Sequence, residues 1–114
     1  YKYIIAETKS YDFGDSGQEV KIYKIAVNAK HNRGHIKIFA SLDGNPYLEM
    51  YDDLGNTRIA FNRSFTNKEI YFSDPSIEKK PVLARRLKIK IKGEVEGFHL
   101  NDISVIYRTK GVIG

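Results

Sequence analysis

The last third of the chain, RRLKIKIKGEVEGFHLNDISVIYR from Arg85 to Arg108, leaves the fewest folds open. Leu87, Ile89 and Ile91 alternate with Arg86, Lys88, Lys90 and Lys92. Successive side chains of a strand point to opposite faces, so this segment carries one apolar face and one row of four cations. Ile103 and Val105 resume the alternation farther on, and with Leu87, Ile89 and Ile91 they form the expected core. The intervening GEVEG, Gly93 to Gly97, predicts a loop between two strands that close a β-sandwich.

The same period of two governs the rest. It predicts strands over Tyr1–Thr8, Val20–Lys30, His35–Leu42, Pro46–Tyr51, Thr57–Phe61, Lys68–Phe72, Val82–Lys92 and Leu100–Thr109. Val20 and Ile22 do not share a strict face with Ile25 and Val27, which predicts a bulge near Tyr23–Lys24. Ser10–Gln18, with Gly14 and Gly17 beside Asp12 and Asp15, reads as a turn-rich loop, and Asp43–Asn45 as a hairpin turn. His31–Gly34, Asp52–Asn56 and the polar Ser73–Pro81 are further connections. No stretch has apolar residues at helical spacing over three turns; the one short helical candidate, Ser76–Arg86, carries Pro81 at its middle. The expected fold is all-β, an antiparallel β-sandwich of about eight short strands in a single domain over residues 1–114. Beginning at Tyr1 without an initiating Met, the chain is expected to be processed or excised from a larger protein.

A chain of 114 residues buries roughly two thirds of its unfolded surface, enough for a core without staples. It has no cysteine, which excludes disulfides, thiolate catalysis and cysteine-type zinc sites. No apolar run approaches the ~18 residues of a membrane-spanning helix, so membrane insertion is not expected. The net charge of +5 is uneven: residues 1–56 hold 7 basic against 8 acidic groups, and residues 57–114 hold 12 against 6. A basic half suits nucleic acid, an acidic membrane surface or an acidic protein partner, or only the solvated faces of basic strands.

No motif declares a catalyst. His31 and His35 flank a turn and His99 stands apart, without a third metal ligand at a fixed offset. DFGDSG and DDLGN each offer two acids and a glycine, short of a calcium-loop pattern, so Asp12, Asp15, Asp52 and Asp53 are read as turn formers. Nucleophile elbows and phosphate-binding glycine loops are absent from the sequence. The chain is therefore read as non-enzymatic, with no cofactor and no metal. Eight tyrosines and six phenylalanines are read chiefly as core, and the cationic strand contains no aromatic of its own, which disfavours base stacking there. Tyr47 and Tyr51 flank a short strand and could stack on sugar.

Two segments resemble structural proteins of tailed bacteriophages. In the first, Lys9, Asp12, Phe13 and Gly14 precede a Lys-rich strand with Lys21, Tyr23, Lys24, Ile25 and Val27, and a later strand ends in Asp43–Gly44. In the second, a basic strand and a Gly-containing loop lead to Phe98, Leu100, Ile103, Val105, Tyr107, Arg108 and Lys110. The resemblance implies a β-sandwich module of a tail, nozzle or head-to-tail junction that packs against neighbouring copies or other subunits. The closing segment is also similar to the last strands of galactose-binding-like jelly rolls, which implies a jelly-roll-like sandwich and a carbohydrate held by end loops. The chain lacks the disulfide and Trp usual in that family.

The leading expectation is a non-catalytic virion module whose partners are other virion subunits, homo-oligomeric in the assembly and close to DNA. Arg86, Lys88, Lys90 and Lys92 would be its electrostatic contact face. The alternatives are a carbohydrate-binding module using Asp43, Asn45, Tyr47 and Tyr51, and a basic nucleic-acid-binding β-domain.

Overall fold

A computed structural model describes residues 2–8, 10–13 and 19–109. Lys9, Gly14, Asp15, Gly17 and Lys110, named above in the loop or the resemblance, lie outside the described residues. The strands are β1 (Lys2–Glu7), β2 (Tyr11–Asp12), β3 (Val20–Lys30), β4 (Arg33–Leu42), β5 (Leu48–Glu49), β6 (Thr66–Ile70), β7 (Val82–Ala84), β8 (Arg86–Glu96) and β9 (His99–Thr109). Among the described residues there is no helix, and every pairing is antiparallel.

The strands form the expected two-sheet sandwich. In the first sheet β8 pairs with β4 along one edge, while β1 and β2 share its other edge; β5 lies outside β4. In the second sheet β9 runs along the whole of one edge of β3, which leaves β6 and β7 to share the other. The chain alternates between the sheets, from β1 and β2 to β3, to β4 and β5, to β6 and β7, back to β8 in the first sheet and finally to β9 in the second. Between the sheets lie Val20, Ile22, Ile25, Val27, Ile36, Ile38, Leu87, Ile89 and Ile91, all almost wholly buried. Each contributes about 1.5–3 kcal/mol by leaving water.

The expected bulge is present. The register steps from Ile22↔Tyr107 to Lys24↔Ile106, so Tyr23 is the extra residue. That single insertion turns Ile25 and Val27 back onto the face of Val20 and Ile22. Asp43 and Gly44 take φ values of 53° and 77°, the paired positive angles of a type I′ hairpin, with the Asn45 amide donating to the Leu42 carbonyl at 3.0 Å.

Several boundaries differ from expectation. GEVEG is not a loop: β8 continues through Glu96, Val95 is buried, and the turn falls at Gly97 (φ 66°). Gly93 serves close approach, since a Cβ there would overlap the backbone of His35 and Ile36. Val82–Lys92 is two strands, because the chain crosses between sheets at Arg85. Tyr11 and Asp12, inside the expected Ser10–Gln18 loop, pair with Leu87 and Arg86. Pro46–Tyr51 shrinks to Leu48–Glu49, and Thr57–Phe61 to an isolated bridge between Ile59 and Ile36. Ile103 and Val105 are only half-buried, because β9 is the rim of its sheet.

Candidate functional site

The outer face of the first sheet carries the predicted cationic row, and cross-strand register decides its neighbours. Glu7, Lys90, Phe39 and Glu49 form one row across β1, β8, β4 and β5. Ile5, Lys92 and Lys37 form the next, and Tyr3, Glu94 and His35 the one after. Lys92 and Lys37, directly opposite, would repel. Lys37 turns to Glu49 (Nζ to Oε1, 3.0 Å), and the Lys92 ammonium lies over the Phe39 ring at 5.7 Å.

The row is less bare than its sequence suggests. Arg86 pairs with Asp12 at 3.3 Å and Lys90 with Glu7 at 4.0 Å. The exposed Arg86–Asp12 pair stabilises by no more than about 1 kcal/mol, yet both pairs offset the local positive charge. Among the described residues, Lys88 and Lys92 have no carboxylate within ion-pair distance. The strand holds no aromatic of its own, yet the row does not lack aromatic partners: Tyr47 and Phe39 arrive from the neighbouring segments. Lys90 Nζ stands 4.0 Å from the Tyr47 ring centroid, a close cation–π contact. Partial burial and then the Glu7 charge raise the Tyr47 phenol pKa, keeping it protonated. Beside these mixed charges stand two exposed apolar side chains, Tyr3 at 60% and Ile5 at 59%.

The other predicted cluster is spent piecemeal. The Asp43 carboxylate accepts the backbone amides of Arg85 and Arg86 at 2.8 and 2.9 Å, fastening the hairpin to the β7–β8 crossover. The Asn45 carbonyl accepts the Ser41 hydroxyl at 2.6 Å. Tyr47 is capped by Lys90, and Tyr51 exchanges backbone bonds with Tyr71. A shallow groove at this corner, about 430 Å³, is lined by Glu19, Asp43, Gly44, Arg85 and Arg86, so Asp43 is the sole member of the predicted four that lines it.

Asp52 is likewise a turn former: its Oδ1 accepts the amides of Leu54 and Asn56 at 3.0 and 2.8 Å. Among the described residues no three acids or histidines gather into a metal-sized group.

Three clusters escaped the sequence reading. Lys24 Nζ meets Glu69 Oε2 at 2.9 Å while the Tyr71 hydroxyl donates to the same oxygen at 2.8 Å. The bond from Lys24, then that from Tyr71, holds the Glu69 carboxyl below its usual range. Asn67, Asn28 and Asn101 form a side-chain ladder across β6, β3 and β9, at 2.8 and 3.0 Å. At the opposite end from Asp43, His31 is 2% exposed; its Nε2 accepts the Phe61 amide at 2.8 Å, and the Phe61 and Phe98 rings flank it. Glu69 and Tyr71 alternate by two, which is a local signal; their partner Lys24 depends on register.

Comparison with protein-family models, with curated proteins and with solved structures returns no match to this chain.

Proposed function

We propose that this chain is a non-catalytic structural and interaction module of a tailed-phage-like virion, in a tail, nozzle or neck, and that the outer face of its first sheet packs against a neighbouring protein subunit. One observation carries the protein-contact part: that face interleaves exposed Tyr3 and Ile5 with paired charges, Arg86–Asp12, Lys90–Glu7 and Lys37–Glu49. Polyphosphate would favour an unbroken cationic field. Apolar side chains among ions of both signs suit another protein surface, where charge pattern selects the partner. The tailed-phage setting is supported by the resemblance of the opening and closing segments.

Lys88 and Lys92 make the reading testable in place. Amine-reactive cross-linking of purified particles is expected to join these two lysines to a neighbouring subunit, with the links lost in Tyr3→Asp, Ile5→Asp particles. Absence of the chain from particles would overturn the virion assignment. Presence without links from this face would overturn the contact surface.

A further inference from the structure

Among the described residues β9 is the longest strand with a free edge. It pairs with β3 on one side, and among the described residues no backbone group bonds its other side. Sheet edges present a row of unpaired amides and carbonyls that templates another strand, and proteins usually blunt them with proline, repelling charge or bulges. β9 has one bulge, at Asn101, where the register steps from Asn28↔Asp102 to Ala29↔Leu100. Beyond it Asp102–Thr109 runs regularly, contains no proline, and leaves Ile106 and Tyr107 36% and 45% exposed.

We propose that this edge pairs with β9 of a second copy, antiparallel about a two-fold axis through Val105, joining the two second sheets into one. The proposal rests on the assembly reading above and names its partner. A two-fold contact must be self-complementary. Centred on Val105, pairing sets Asp102 against Arg108 of the second copy twice, Ile103 against Tyr107 twice, and Ser104 against Ile106 twice. Directly opposed unlike charges and aromatic–β-branched pairs are favourable across strands. Centred one residue earlier, Asp102 meets Ile106 and Arg108 meets Leu100; centred one later, Arg108 meets Ser104. Only the Val105 register pairs the two charges of the regular stretch. Asp102 and Arg108 are exposed, and among the described residues neither has an ion-pair partner within the subunit.

The test is sedimentation equilibrium of the 114-residue chain. The wild type is expected to dimerise. Asp102→Arg alone and Arg108→Asp alone each oppose like charges and should weaken dimerisation at least about tenfold, the combined effect of two altered cross-strand pairs. The double variant restores both pairs and should dimerise again. A mixture of the Asp102→Arg chain with the Arg108→Asp chain should form a heterodimer, which neither forms alone. A monomeric wild type at millimolar concentration overturns the proposal. So does a dimer indifferent to both reversals, which leaves the assembly reading standing because its face is the other sheet.

Discussion

His31 couples the fold to pH near neutrality. It sits in the β3–β4 crossover, beside the β8–β9 crossover, where a Cβ on Gly97 would touch the Asn32 side chain. Because Nε2 accepts the Phe61 amide, the ring proton sits on Nδ1, which is buried without a partner among the described residues. Protonating Nε2 would set two donors against each other. Burial, then the His35 charge, lowers the pKa of His31 below its ordinary value. A depressed histidine pKa means the unfolded chain takes up a proton that the folded chain refuses. Stability is therefore complete above about pH 6.5 and falls as pH drops below it, by at most about 1.4 kcal/mol per pH unit for one proton. Denaturant melts at pH 7.5 and 5.5 should show a larger loss for wild type than for His31→Gln, whose amide accepts from Phe61 without titrating. Equal losses would remove His31 from the acid response.

At the scale of elements, the Asp43 hairpin does two tasks at once. Its positive φ suits Asp, Asn or Gly, and its carboxylate holds the two amides exposed where the chain leaves β7 for β8. Asp43→Ala should destabilise by about 2 kcal/mol, through the left-handed backbone and the lost acceptor together. Asp43→Asn keeps the backbone preference and an acceptor, so its denaturation midpoint should lie between alanine and wild type; an Asn variant as weak as Ala would contradict this. The hairpin was legible because Asp-Gly is a local signal. The β3 bulge was legible for a similar reason: Ile25 and Val27 could not join the face of Val20 and Ile22 without an extra residue. GEVEG was misread because glycine marks turns and close approaches alike, and only β4 lying against Gly93 distinguishes them. The break at Arg85 was invisible because Leu83 and Leu87 keep the alternation in phase across it while the strand changes sheets.

Over the whole molecule, the unreadable quantity was register. Arg86, Lys88, Lys90 and Lys92 were recognisable as one face, and all four point away from the core. Their counter-charges Asp12 and Glu7, and the rings of Phe39 and Tyr47, come from strands and loops far away in sequence. Alternation within a strand reports which face is wet, and is silent about what stands beside it. The same non-locality shapes folding. Lys2 opposes Val95 in one sheet and Val20 opposes Thr109 in the other, so each sheet joins strands from near opposite ends of the chain. These pairings repay the entropy of closing long loops only after the loops are closed. Among the described residues no two long strands joined by a short connection pair with each other: β3 and β4, like β8 and β9, follow each other closely but lie in different sheets. Without a local hairpin of that kind to seed a sheet, folding should be slow for the length, relaxing between about 1 ms and seconds as in other sandwiches. Stopped-flow refolding from denaturant reads this directly. Complete recovery within the dead time of mixing would mean that local structure, and not the β1–β8 and β3–β9 pairings, limits the rate.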